Sequence, residues 1–240
     1  MLAHTNAIVL SKLRYKDNDL IVKCYTEELG VVSFLVRGAL KSKKGASKAA
    51  YFQLLSQLQL VIAYKSNKNL HTIKEVKPNY IYSSLHSNIL KSAVVMFLSE
   101  ILASILQEEE ENRVLYSYIE TALLWFDTHT KSSNFHLLFL LNLSKYLGFY
   151  PELENVNSSF FNLKDGKFED RNMGKYAIQG ENLVLLKTLL GTKFDDIEGI
   201  NFSKTGRQQL LQIIIRYFEL HLGGFRMPKS LAVLETVFRR

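Results

Sequence analysis

The hydrophobic residues of this chain change period near residue 80, so a single kind of layer cannot satisfy the whole sequence. Up to residue 77 the apolar runs are short and often alternate, at 7–10, 20–25, 31–36, 58–64 and 70–76. Alternation sends successive side chains to opposite faces of an extended backbone, so these runs read as five strands. Turn-forming residues separate them: K-D-N-D at 16–19, E-L-G at 28–30, a Gly- and Lys-rich stretch at 38–48, and S-N-K-N at 66–69.

From about residue 85 the apolar residues recur instead at three- and four-residue steps. Leu90, Val94, Phe97, Ile101 and Ile105 form one such series, Val114, Tyr118, Ala122 and Trp125 another, and residues 135–147 and 206–222 read the same way. A segment over 151–180 is rich in Asn, Asp and Gly and too polar for a core helix, so it reads as a loop with a short hairpin. Five short strands suit a small barrel, because closure removes exposed strand edges. The expected fold is therefore α+β in two domains. A five-stranded β-barrel over 1–80, with the OB fold as candidate and an SH3-like barrel open on pattern alone, precedes an all-helical domain over 81–240. The 151–180 segment is an irregular loop insertion in that helical domain.

Charge divides at the same place. The chain carries a formal net charge of +7. Residues 1–80 hold thirteen Lys and Arg against five Asp and Glu, whereas 81–240 hold seventeen against eighteen. All the excess positive charge thus lies in the predicted barrel, which points to a polyanionic partner there. The single cysteine, Cys24, makes no internal disulfide and no thiolate cage, so a reducing compartment is expected. Apolar residues 2–10 precede the first basic residue, Lys12, the reverse of a secretory signal. The longest charge-free run, residues 49–64, includes Gln53, Ser56, Gln57 and Gln59 and falls short of the ~20 apolar residues that span a bilayer. A cytoplasmic protein without a membrane span is expected.

Motifs of catalysis are missing. Gly38 and Gly45 bracket six residues rather than four, and Lys44 precedes the second glycine, so no phosphate-cradling loop of the P-loop kind is present. G-x-S-x-G, H-E-x-x-H and G-x-G-x-x-G are absent as well. Six histidines (His4, His71, His86, His129, His136, His221) form no close ligand pair, and the carboxylates at 108–111 and at Asp195 and Asp196 read as solvated connections. No catalytic residue, cofactor or metal is expected.

The basic stretch 37–48 is the exception to this blandness. Arg37, Lys41, Lys43, Lys44 and Lys48 stand there without an acidic residue, spaced by Gly and Ser. Point charges of this kind follow a phosphate backbone and release its counterions without reading sequence. Lys12, Arg14, Lys16 and Lys23 add charge to the same domain, and Tyr15, Tyr25, Phe34 and Tyr51 are aromatics able either to stack on bases or to fill the core.

The residues also resemble a known family. A-I-V-L at 7–10, Y-K-D-N-D-L-I-V at 15–22, Y-T-E-E-L-G at 25–30, V-R-G-A at 36–39 with lysines following, and L-H-T-I-K-E at 70–75 are similar to the N-terminal OB domain of the bacterial recombination mediator RecO. L-G-F-Y-P at 147–151, H-L-G at 221–223 and K-S-L at 229–231 extend the resemblance over nearly the whole chain. It implies a DNA repair and recombination protein that binds single- and double-stranded DNA and anneals strands coated with single-strand-binding protein. It also implies help in loading the RecA recombinase together with RecR, without ATP. Partners would be DNA, the C-terminal tail of the single-strand-binding protein, RecR and, indirectly, RecA. The DNA surface would map to Arg37, Lys41, Lys43, Lys44 and Lys48, with Lys12, Arg14 and Lys16. Two other classes stay open: an RNA-binding, ribosome-associated OB protein and a non-catalytic interaction scaffold.

Many relatives in that family carry two C-x-x-C pairs after the L-G-x-x-P segment, forming a zinc site. Here the first pair falls on Asn155 and Ser158 and the second near 169–172, and none of these is cysteine. Phe160, Phe161, Leu163 and Phe168 are candidates for a substitute cluster. Elemental analysis of the purified protein is expected to find no zinc; one equivalent per chain would overturn this reading.

Overall fold

The computed structural model describes residues 2–41, 49–65, 67–106, 111–131, 133–172 and 174–239. The chain is α+β, with a five-stranded antiparallel sheet, a smaller three-stranded sheet and several helices. It divides into two compact units, 1–128 with 228–237 and 129–227 with 238–240.

In the first unit β1 (Leu2–Tyr15), β2 (Asp19–Thr26), β3 (Gly30–Val36), β4 (Gln57–Ala63) and β5 (Thr72–Pro78) form a sheet of order β3-β2-β1-β4-β5. The strand β1 serves both halves of the sheet. Its first residues pair with β4, from Leu2↔Ala63 to Ile8↔Gln57, and its later ones with β2, from Ala7↔Thr26 to Tyr15↔Asp19. The register shifts between Val9 and Ser11, a bulge that lets one strand turn from one partner to the other. The two outer strands come together where Phe34 of β3 bridges His71 in parallel. Leu35 N–H donates to His71 O and His71 N–H to Ser33 O, both at 2.9 Å. Inside lie Ala7, Val9, Leu20, Val22, Cys24, Val32, Phe34, Leu58, Leu60 and Ile62, the inward members of the strands, together with Phe52 from the β3–β4 connection. Burial in that core raises the Cys24 thiol pKa well above its ordinary value, so it has no thiolate character.

Two helices cover part of the outer face. The first, α1 (Ile89–Ile105), starts at Asn88, whose side chain accepts from the amides of Leu90 and Lys91. The second, α2 (Arg113–Thr128), buries Leu115, Tyr116, Ile119, Ala122, Leu123 and Phe126. The expected α2 stripe was therefore one position out of phase: Val114 is 69% exposed and Ala122 alone of that series is buried. Polar side chains seat the helices on the sheet. Lys23 Nζ donates to Ala103 O (3.3 Å), Tyr25 Oη to Asn112 O (3.0 Å) and Gln57 Nε2 to Glu120 O (3.1 Å).

The segment leaving β5 is gathered by one buried carboxylate. Asp127 accepts from the amides of Ser83 (2.8 Å), Ser84 (2.8 Å) and Leu85 (3.0 Å) and from the Ser83 hydroxyl (3.0 Å). Lys91 Nζ donates to Asp127 O (2.8 Å) and Ser84 Oγ (2.7 Å). Burial alone would raise the Asp127 pKa, but the three amides together hold it below the usual aspartate value.

In the second unit α3 (Phe135–Tyr146) is buried almost all round. Behind it come β6 (Phe160–Asn162), β7 (Lys167–Glu169) and β8 (Ala177–Ile178), then α4 (Gly180–Leu189), a 3₁₀ turn (Phe194–Gly199) and α5 (Lys204–His221). The expected hairpin over 151–180 is present as β6 and β7, and β8 adds a third strand in the order β7-β6-β8. Its organising contacts are aromatic. Phe161 meets Phe168 at 4.8 Å between ring centroids, Tyr217 Oη donates to Phe149 O (2.7 Å), and His221 Nε2 donates to Leu163 O (2.9 Å). Gly166, at φ +70°, lies so close to this cluster that a Cβ there would stand 2.7 Å from Tyr217 Oη. On the same unit His136 is buried, and burial first, then the nearby Arg207 charge, push its pKa down to about 3, so the ring is neutral. The final helix, α6 (Leu231–Arg239), begins beside Ser230, whose amide and hydroxyl both donate to Glu100 at 3.0 Å.

Asp127→Asn should cost about 2–4 kcal/mol, because an uncharged group replaces the acceptor of several buried donors. The folded pKa is lowered, so the wild-type contribution is full above pH ~4 and is lost as pH falls through the folded value. Urea unfolding measured across this pH range checks both statements; identical midpoints, or the same acid limb in the variant, would sink them.

Candidate nucleic-acid interface

Five of the eight basic residues expected at the site, Lys12, Arg14, Lys16, Arg37 and Lys41, lie among the described residues, on the β1–β2 hairpin and the segment after β3. Beyond Ser11, β1 has lost β4 as a neighbour and pairs with β2 alone, so residues 11–15 and 19–23 form a hairpin ribbon whose β1 edge is open, with β3 on the other side of β2. Lys12 pairs with Val22 and Arg14 with Leu20, while Leu20 faces Val36 at the end of β3. This register runs from Arg14 across Leu20 to Val36, the residue after which Arg37 leaves the sheet. Lys12, Arg14, Lys16, Arg37 and Lys41 are all exposed.

A clamp holds the post-β3 segment against the ribbon tip. Gly38 N–H donates to Asp19 Oδ1 (2.8 Å), and Leu40 N–H donates to Asn18 O (2.9 Å). Gly38 sits at φ +64°, a left-handed backbone that glycine adopts without strain, and Lys41 N–H closes the turn on Gly38 O at 3.1 Å. Between them Ala39 is fully buried in the sheet core. Arg37 and Lys41 therefore stand at either end of a turn pinned to Asn18 and Asp19, the end of the β1–β2 connection that also carries Lys16. Arg14 Nη2 donates to Asp17 O (3.2 Å) and steadies that turn.

Lys43, Lys44 and Lys48 lie outside the described residues. Both flanks of their segment, Leu40 and Ala49, pack on the sheet core. Lys23 is not part of the cationic end. It is spent on α1, and burial there lowers its pKa.

The aromatics separate cleanly. Phe34 is core, Tyr25 is buried and bonded to Asn112 O, and Tyr51 packs against the sheet interior. Tyr15 is 38% exposed at the last position of β1, with the Lys16 ammonium 5.4 Å from its ring centroid. The clamp residues Asn18 and Asp19 were not singled out from sequence. The cue was an Asx-rich turn directly before a strand, facing a glycine after the next strand.

The positions corresponding to a zinc site do not fit a metal. Ser158 N–H donates to Asn155 O (2.9 Å), closing a turn, and Lys187 Nζ donates to Ser158 O (2.8 Å), so an ammonium sits where thiolates would be needed. Among the described residues no group of three or more His, Cys, Asp or Glu side chains is placed to hold a metal ion. Nor, among those residues, is any helix long and apolar enough to cross a membrane.

Comparison with known sequences places the chain in the class of DNA repair and recombination proteins. Residues 1–82 match the family model described as Recombination protein O N terminal, and residues 86–231 match Recombination protein O C terminal. The DNA repair protein RecO of Christiangramia forsetii is 45% identical over 238 residues, 99% of this chain and 100% of the relative. That of Flavobacterium johnsoniae is 42% identical over 98% of both chains, and that of Bacteroides fragilis 36% identical over 99% of this chain and 100% of its own. The chain belongs to the RecO family.

Asp19→Ala should release the clamp. The expected result is a loss of about 1 kcal/mol in stability and faster amide exchange at Gly38, read by hydrogen exchange. An unchanged Gly38 rate would mean that the clamp does not hold the turn.

Proposed function

We propose that this chain is a non-catalytic recombination mediator. It binds single- and double-stranded DNA on the cationic end of an OB-fold barrel spanning about residues 1–80, and its remaining residues serve protein partners. The observation that carries this reading is the convergence of Lys12, Arg14, Lys16, Arg37 and Lys41 on one pinned end of the sheet. The parallel bridge between Phe34 and His71 supports the OB assignment, since it brings the outer strands together. Lys43, Lys44 and Lys48 extend the same cationic segment in sequence.

Annealing needs no catalytic side chain. Two phosphate backbones repel each other, and a surface that neutralises both raises their encounter rate, after which base pairing supplies the free energy. In this reading the protein anneals strands coated by single-strand-binding protein, takes that protein's C-terminal tail on its helical part, and works with RecR to load RecA without ATP. It does so in the cytoplasm. The motif-free sequence supports a mediator rather than an enzyme, and RNA binding is the outcome to exclude, since 2′-hydroxyl contacts are what distinguish the two nucleic acids.

The test is the annealing rate of complementary oligonucleotides coated with single-strand-binding protein, without ATP, for the full chain and for a variant with Ala at Arg14, Lys16, Arg37 and Lys41. Wild type should accelerate annealing and the variant should not. The slope of log affinity against log salt for a single strand should fall by up to about 3, at roughly 0.7 per phosphate contact removed. Preference for structured RNA, or binding that is flat in salt, would contradict the proposal.

A further inference from the structure

We propose that Tyr15 is a stacking platform for an unpaired base, and that it makes the cationic end select single strands over duplex. The inference rests on the DNA-binding reading above and goes beyond it, since phosphate contacts alone do not distinguish the two forms.

The ribbon is two-sided. Cross-strand partners share a face, so Lys12 and Arg14 lie with Val22 and Leu20 on one side, while Leu13 and Tyr15 lie with Ile21 and Asp19 on the other. Leu13 is 66% exposed and Tyr15 38% exposed, an apolar pair left in water at the end of a strand otherwise well buried over residues 7–10. The fold does not use the Tyr15 ring as it uses the others of the sheet. Tyr25 and Phe34 are inside, Tyr51 packs on the core, and Tyr64 stacks on His71 at 4.7 Å and 12°. What Tyr15 does meet is a cation, the Lys16 ammonium over its ring. An open aromatic with a cation at its side offers a base a π-face and offers the attached phosphate a charge. Arg37 and Lys41, held by the clamp at the same ribbon tip, supply further charge for the neighbouring phosphates. A base inside a duplex is already stacked and paired and has no face to give, so the ring contributes only to single-strand binding.

The experiment is fluorescence anisotropy of the full chain with a mixed-sequence single-stranded deoxyoligonucleotide, its duplex, and a strand of the same length made of abasic sites. Wild type is compared with Tyr15→Ala and Tyr15→Phe, all three at matched thermal stability. Tyr15→Ala should weaken single-strand binding about five- to hundred-fold and change duplex binding by less than about two-fold. Tyr15→Phe should keep the single-strand affinity. On the abasic strand wild type and Tyr15→Ala should bind alike. Equal weakening on single strand and duplex, no weakening on the single strand, or a loss that persists on the abasic strand would overturn the stacking role while leaving the DNA-binding reading intact. Wild type that binds neither DNA form in a salt-dependent way would overturn both.

Discussion

The buried carboxylate of Asp127 is the interaction on which the first unit depends. It sits near the end of α2 and collects three consecutive amides from the segment that leaves β5, while Lys91 near the start of α1 holds the Asp127 carbonyl. One residue thereby ties the segment after β5 and the start of α1 to the end of α2. Such a charge is tolerable inside a protein only because its lone pairs are met by donors with fixed geometry. With α1 and α2 set in this way, Lys23, Tyr25 and Gln57 reach them from the sheet, and that portion of the outer face is covered. Among the described residues no side chain from α1 or α2 is bonded to the hairpin tip at 12–18, and Lys12, Arg14 and Lys16 are exposed.

Exposed cations on a scaffold differ from cations on a tether. A lysine on a free segment must lose conformational entropy when it engages a phosphate, whereas one beside a pinned backbone has lost part of it on folding. Asp19 matters here through its position rather than its charge. Its carboxylate is satisfied by the Gly38 amide, and the result is a turn that presents Arg37 on one side and Lys41 on the other. The acidic residue within the basic end is therefore part of what shapes it.

Local pattern was legible in the sequence and long-range polar contacts were not. All five strands were legible as short apolar runs, yet β1 runs over 2–15 rather than 7–10, because residues 7–10 are all buried while 12–15 are exposed and carry no apolar alternation. The helices α1, α3 and α5 followed from their spacing. In α2 two stripes compete at helical period, and the one that won carries Leu115, Ile119, Leu123 and Phe126 rather than Val114, Tyr118 and Trp125. The short helices α4 and α6 gave too few turns to stand out. The Asp127 contacts join residues more than forty positions apart and leave no mark in any window. For the site, the cations could be read from charge asymmetry, but which of them share an end depended on register and on the Asx clamp. Lys23 shows the limit: it belongs to the same charge count and is used by the fold.

The 151–180 segment shows how a loop can be organised without a metal. A bound ion would join distant points of backbone at one centre. Here the joining is spread over side chains from two helices that reach carbonyls of the segment and its flank: Lys187 from α4 to Ser158, and Tyr217 and His221 from α5 to Phe149 and Leu163. The rings of Phe161 and Phe168 fill the space between, and Lys187 lies 5.5 Å from the Phe168 ring, so its cation has an aromatic face as well as a carbonyl. Each link is weaker than a metal–thiolate bond. The arrangement requires instead that α4, α5 and the strands be placed together, which couples the segment to the packing of its unit. It also removes any dependence on thiol oxidation state, since the only cysteine of the chain is enclosed in the core of the other unit.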